Sequence, residues 1–227
     1  MKRLATTCFF AVALACMAAV PAAHAQQLLF DYVGFDYESP DLDPGTFGAV
    51  GDGYRGVGFV PVLFAPLVSD PANNEYTYYF DGLVATNRQV VGPYVVIDYS
   101  PGTLTIFEDS KATGTAADYG TNPPNGVAPS TFTDGNGILV GALTAFRYVL
   151  NTSTGSGSFE AVFTVTGGTQ SGNIPADQLQ GWTFAGTTTN TTSIPGGYDH
   201  QVDGQTFLNQ PVPARSDTWG GLKRRYR

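Results

Sequence analysis

A chain of 227 residues, 42% hydrophobic and 13% aromatic, is long enough for one sizeable core, and all-β domains of this length are often undivided. Its net charge of −8 at pH 7 argues against nucleic acid and anionic membrane surfaces as partners. With only two cysteines, Cys8 and Cys16, and two histidines, His24 and His200, chemistry that needs several of either is excluded.

The N-terminus reads as a secretory signal peptide over residues 1–25. Lys2 and Arg3 form its charged region, Leu4 to Val20 its apolar run, and Ala23-His24-Ala25 its small-x-small cleavage site. A membrane-spanning helix is the first alternative, but the run sits at the short edge of a span. Lipidation at Cys16, after the weak box Leu14-Ala15, is the second. Cleavage leaves a mature chain from Gln26 that has no cysteine and keeps only His200. The expected location is extracellular or at the cell surface, with the periplasm as the alternative.

Glycine, proline and threonine are abundant, and no amphipathic helix of any length stands out. Leu28 to Phe35 predicts a first strand, and residues 36–53 a long acidic loop with Pro40, Pro44 and Gly51-Asp52-Gly53. Tyr54 to Phe64 predicts a strand with an edge or bulge at Pro61. Glu75 to Phe80 is a tyrosine-dense strand ended by Asp81-Gly82, with Leu83 to Thr86 extending the pairing. Arg88 to Tyr99 is interrupted by Gly92-Pro93, and Thr103 to Glu108 alternates cleanly. Residues 109–137 form the longest irregular stretch. The clearest element is a hairpin from Gly137 to Gly168, in which period-two alternation flanks the polar loop Asn151 to Gly157. Pro175 opens one helical turn over Ala176 to Gln180. Gly181 to Ala185 and a weak pair within Ile194 to Leu208 complete the set. Eight to eleven short strands without intervening helices predict an all-β fold over residues 26–210. An antiparallel, jelly-roll-like β-sandwich is expected, with a barrel-like closure as the alternative.

The tail, residues 211–227, differs in kind. After the stiff Pro211-Val212-Pro213, five of its residues are basic, whereas residues 26–210 hold four basic groups against eighteen acids. The ending Thr218-Trp219-Gly220-x-x-Lys223-x-x-Tyr226-Arg227 resembles a C-terminal signature found on diverse secreted bacterial proteins. The body segments Asn74-Glu75-Tyr76, Asp118 to Asn125, Pro129 to Gly135 and Ile194 to Tyr198 resemble a β-rich family of secreted proteins. The resemblance implies export and an all-β fold and supplies neither activity nor catalytic residue. The tail is also distantly similar to exosortase-type sorting ends, but lacks the membrane helix between the proline motif and the basic cluster. Trp219, Gly220, Lys223, Tyr226 and Arg227 are therefore read as an export or surface-retention signal.

Two constellations in the body can carry chemistry. Asp36, Glu38, Asp41, Asp43 and Asp52 crowd one loop bent by proline and glycine, which suits a hard cation such as calcium, though the spacing is not that of an EF-hand. The other reading is a solvated acidic loop. Tyr76, Tyr78 and Trp182, with Tyr79, Tyr94 and Tyr99, could stack on sugar faces if exposed; core packing is the competing role. No Gly-x-Ser-x-Gly elbow occurs, and His200, in Gly197-Tyr198-Asp199-His200, reads as a surface or turn residue. The expected function is a non-enzymatic secreted or surface-exposed structural or adhesion protein, with a glycan or a surface or matrix component as partner. A carbohydrate-binding module with a structural calcium is the alternative, and a secreted hydrolase with two carboxylates the third reading. Peptide mapping of the exported protein is expected to begin at Gln26; a surviving peptide from residues 4–25 would overturn the cleavage.

Overall fold

The computed structural model describes residues 27–120 and 127–208. Period-two burial dominates it. In β1 (Gln27–Glu38), Phe30, Tyr32, Gly34 and Asp36 turn to one side and are buried. β1 pairs with β2 (Gly53–Leu63), β2 with β3 (Asn74–Val91), β3 with β5 (Gly102–Ser110), and β5 with β6 (Asn136–Asn151). A meander follows through β7 (Ser156–Gly167), β8 (Trp182–Thr189) and β9 (His200–Leu208). β9 then returns to β1, from Gln27 opposite Leu208 to Asp36 opposite His200. Every pairing is antiparallel, so these eight strands close into a barrel. The remaining strand, β4 (Tyr94–Tyr99), bridges the far ends of β3 and β6, beyond the reach of β5. The all-β expectation holds, but the expected jelly-roll-like sandwich is corrected to its alternative, a closed barrel. The reason is the long β9–β1 ladder, which joins the two edges a sandwich would keep apart.

The Gly137–Gly168 hairpin appears as β6 and β7, with partners running from Val140 opposite Gly167 to Asn151 opposite Ser156. Asp81-Gly82 does not end a strand as expected. Gly82, at φ +79°, sits within a continuous β3, which pairs with β5 before it and β4 after it. Gly92-Pro93 is the true turn, between β3 and β4. The irregular stretch before β6 includes a short helix, α1 (Val127–Thr133). Among the described residues no helix is long and apolar enough to cross a membrane.

Rings fill the lumen. Tyr32, Tyr54, Tyr78, Phe80, Phe146, Tyr148, Phe163, Trp182 and Phe184 are all buried. Tyr32 stacks on Phe184 with centroids 4.6 Å apart and planes 12° apart. Glycines make room for them. Gly34 faces Gly58 across the β1–β2 ladder, and the Tyr78 ring lies over the pair. The Tyr32 hydroxyl spans Gly186 and Gly204 in the same way and donates 2.8 Å to the Ala185 carbonyl. A second aromatic layer lies outside the barrel. Phe35 and Tyr37 of β1 and Val57 and Phe59 of β2 are covered by Tyr119, Phe132 of α1 and Tyr198. Thr77 pins α1 by donating to the Phe132 carbonyl at 2.7 Å.

The glycine–ring pairing yields a discriminating prediction. A Cβ at Gly34 would overlap the Val57 carbonyl and lie 2.7 Å from the Gly58 Cα, backbone that cannot yield without breaking the ladder. Gly34→Ala is expected to cost about 1–3 kcal/mol, read as a lower urea midpoint at unchanged slope. Gly167→Ala, where nothing lies within 4 Å, is expected to stay within about 0.5 kcal/mol.

Candidate functional site

The polar groups collect at one end of the barrel, where β1 finishes and β2 begins. The 39–52 loop folds back over this mouth. Its Phe47 is partly buried against the core, with ring centroids 5.2 Å from Tyr148 and 4.8 Å from His200. Gly48 follows at φ +70°, a left-handed position that favours glycine, with the Ile97 side chain filling the space a Cβ would need. Arg88 Nε donates to the Phe47 carbonyl at 3.2 Å. The loop is closed at its base by Ser39 N to Gly53 O (2.7 Å) and Gly53 N to Pro40 O (2.8 Å). The 51–52 end is tied to β3 through Gly51 N to Ala85 O and Ala85 N to Asp52 O, each 2.8 Å.

Four carboxylates stand around this loop in different states. Asp36 is fully buried and fully engaged. Its Oδ2 accepts from the Tyr54 hydroxyl at 2.7 Å; its Oδ1 accepts from the His200 amide at 2.8 Å and lies 3.1 Å from His200 Nδ1. Glu38 Oε1 accepts from the Gly48 amide at 2.6 Å. Asp52 is buried, and its Oδ1 accepts from the Leu42 amide at 2.8 Å, while its Oδ2 is buried without a partner. Asp41 is exposed. One oxygen each of Glu38, Asp41 and Asp52 lies within 4.8 Å of the others. Charged Glu38 and Asp52 at such a separation would repel by on the order of 3 kcal/mol at a dielectric of about 20. Among the described residues, no lysine or arginine forms an ion pair with them; the pairs present are Arg147–Asp98 and His200–Asp36.

The electrostatics follow from this crowding. Burial, then the charges of Asp52, Asp199 and Asp41, push the Glu38 carboxyl up to about 8 against the help of the Gly48 amide. Asp199, whose Oδ2 accepts from the Glu38 amide at 3.0 Å, is pushed up to about 6 by burial and by Asp36. For His200, burial favours the neutral ring. The Asp36 hydrogen bond and the charges of Asp36, Asp199 and Glu38 outweigh it and hold the ring above its usual value.

Of the expected cation ligands, the fold brings together Glu38, Asp41 and Asp52. Asp36 is corrected to a buried anchor of His200 and Tyr54. Asp43 is exposed and contributes its carbonyl to a turn, 3.0 Å from Thr46 N. The expected sugar platform is also corrected. Tyr78 and Trp182 are fully buried and Tyr76 is 6% exposed, because all three occupy inward positions of the closed barrel. Tyr76 instead accepts from Asp70 N and donates to Glu108 Oε2, and Trp182 Nε1 donates to Gln178 O at 2.6 Å. His200 is likewise buried in β9 and not a surface residue. Phe47, Asp199 and the role of His200 went unread in the sequence, since all three depend on the β1–β9 pairing. Trp219, Gly220, Lys223, Tyr226 and Arg227 lie outside the described residues, as does the signal-peptide region.

Elsewhere, an open groove of about 1050 Å³ runs along the outer face of β6 to β9. Its walls include Arg147, Glu160, Thr187, Asp203 and Gln205, and Arg147 Nε is held 2.7 Å from Asp98 Oδ1. No family model, curated protein or solved structure matches the chain.

Glu38, Asp199 and His200 all hold a proton more tightly in the folded than in the unfolded chain. The unfolded state then binds fewer protons, so unfolding free energy falls as pH rises. In chelator, stability is expected to decline from about pH 4.5 to about pH 8, with Glu38 setting the upper end; Asp199 adds little, because its residue surface stays open to solvent even though its carboxyl is drawn in beside the Glu38 amide. Glu38→Gln should flatten the upper part of that decline in urea titrations. A stability that rises across this window would contradict the assignment.

Proposed function

We propose that the chain works outside the cytoplasm as a non-enzymatic structural or adhesion component, a stiff barrel that presents its loops and outer faces at the cell surface or in a matrix. The observation that carries this reading is the filled lumen. Rings from all around the barrel occupy the space in which ligand-binding barrels of this size hold a small molecule. Export is supported by the leader-like residues 1–25 and by the resemblance to secreted β-rich proteins, and surface retention by the proline-flanked basic tail.

A second reading, glycan binding, is favoured by the outer groove rather than by the buried tyrosines. Arg147, Glu160, Thr187, Asp203 and Gln205 offer hydroxyl groups both donors and acceptors. The two readings and the hydrolase reading separate in one experiment on the purified mature chain. Affinity electrophoresis and reducing-end assays are run against a panel of surface and matrix polysaccharides. The structural role expects neither retardation nor cleavage, together with loss of surface attachment in cells lacking the chain. Retardation relieved by Gln205→Ala would install the glycan reading, and turnover would overturn the non-enzymatic one.

A further inference from the structure

We propose that Glu38, Asp41 and Asp52 form a binding site for a hard divalent cation, calcium in preference to magnesium, which clamps the mouth-covering loop onto the barrel. This goes beyond the role proposed above and does not depend on it.

The geometry comes first. One oxygen of each carboxylate lies within 4.8 Å of the other two. Three oxygens at that limit lie about 2.8 Å from a common centre, so a small inward movement of the exposed Asp41 carboxylate brings all three to a calcium–oxygen distance of about 2.3–2.6 Å. The second observation is the state of Asp52. It is fully buried, and its Oδ2 has no hydrogen-bond partner. A buried carboxylate oxygen left unpaired is costly, and native interiors rarely leave one without a water or ion. The cation supplies that partner.

The loop is built to hold the ligands in place before the ion arrives. Leu42 N fixes Asp52 Oδ1, and Gly48 N fixes Glu38 Oε1. Each of these carboxylates therefore has one oxygen committed to a loop amide and one left over. The donor set is all oxygen, which selects a hard ion over zinc or copper. Asp41 is exposed, which leaves one side of the ion open to water. An irregular half-shell completed by water suits calcium, which takes six to eight ligands flexibly, better than magnesium with its near-ideal octahedron. Three carboxylates on an open site place the affinity near that of extracellular calcium modules, roughly 10⁻⁴–10⁻³ M.

The clamp joins the last residue of β1, the loop and the residue before β2. Between Asp41 and Asp52 the chain carries Phe47 into the barrel mouth. Occupancy should therefore be read in the order of the loop as well as in binding heat.

The test uses the mature chain stripped with chelator, titrated with CaCl2 and with MgCl2 by calorimetry, alongside thermal unfolding and limited chymotrypsin digestion. Calcium is expected to bind saturably, to raise Tm and to slow cleavage at Leu42 and Phe47, with magnesium weaker by about tenfold. Asp41→Asn, at an exposed position that leaves the fold alone, is expected to weaken calcium by about tenfold or more. Asp52→Asn should remove binding, and if that variant fails to fold, Asp41→Asn still decides. The proposal is overturned if no saturable heat or Tm shift appears up to about 10 mM calcium, or if Asp41→Asn binds as tightly as the parent. Because the readout is binding by the purified chain, its failure leaves the proposed extracellular role untouched.

Discussion

Closing eight strands on themselves removes every free edge of the barrel wall and creates a lumen that side chains have to fill. In this chain the filling is done by rings, and rings need floor space. The facing glycines at 34 and 58, under Tyr78, and at 186 and 204, under Tyr32, provide it. The high glycine and aromatic contents are thus two sides of one packing solution. A lumen packed in this way is a core rather than a pocket, so whatever the barrel recognises has to meet its ends or its outer face.

The same constraint decides the fate of the acidic groups. Asp36 continues the inward phase of Phe30, Tyr32 and Gly34, so it enters the lumen and has to be satisfied there. It is: a tyrosine hydroxyl, a backbone amide and an imidazole all converge on it. Asp52 lies just outside the ladder and receives one amide only. Two buried aspartates at the same end of the barrel therefore differ in kind. One is a closed network that pins β9 to β1; the other is an open valence.

Much of this was legible in the residues. The β6–β7 hairpin is readable because its alternation is clean and its loop is local. The all-β class is readable from strand spacing and the lack of helical periodicity. Alternation, however, says that Tyr76 and Tyr78 share a face without saying which face is inside, and only closure put them in the lumen. Ending the first strand at Phe35 hid the inward phase of Asp36, and with it the pairing to His200 across 164 positions. Gly82 looked like a turn because Asp-Gly favours one. It sits instead inside an unbroken β3, at φ +79°, because the residues on both sides of it find strand partners.

The mouth of the barrel is where these threads meet. Phe47 seals it, yet the loop that delivers Phe47 is pinned at its ends by Glu38 and Asp52, whose charges repel each other. In a medium without cations the proton is the available neutraliser, and the raised Glu38 carboxyl expresses that. In a medium with free calcium the ion competes for the same oxygens without needing acid. Proton and ion are thus alternative neutralisers of one set of oxygens, and either relieves the repulsion that otherwise pushes the two ends of the loop apart.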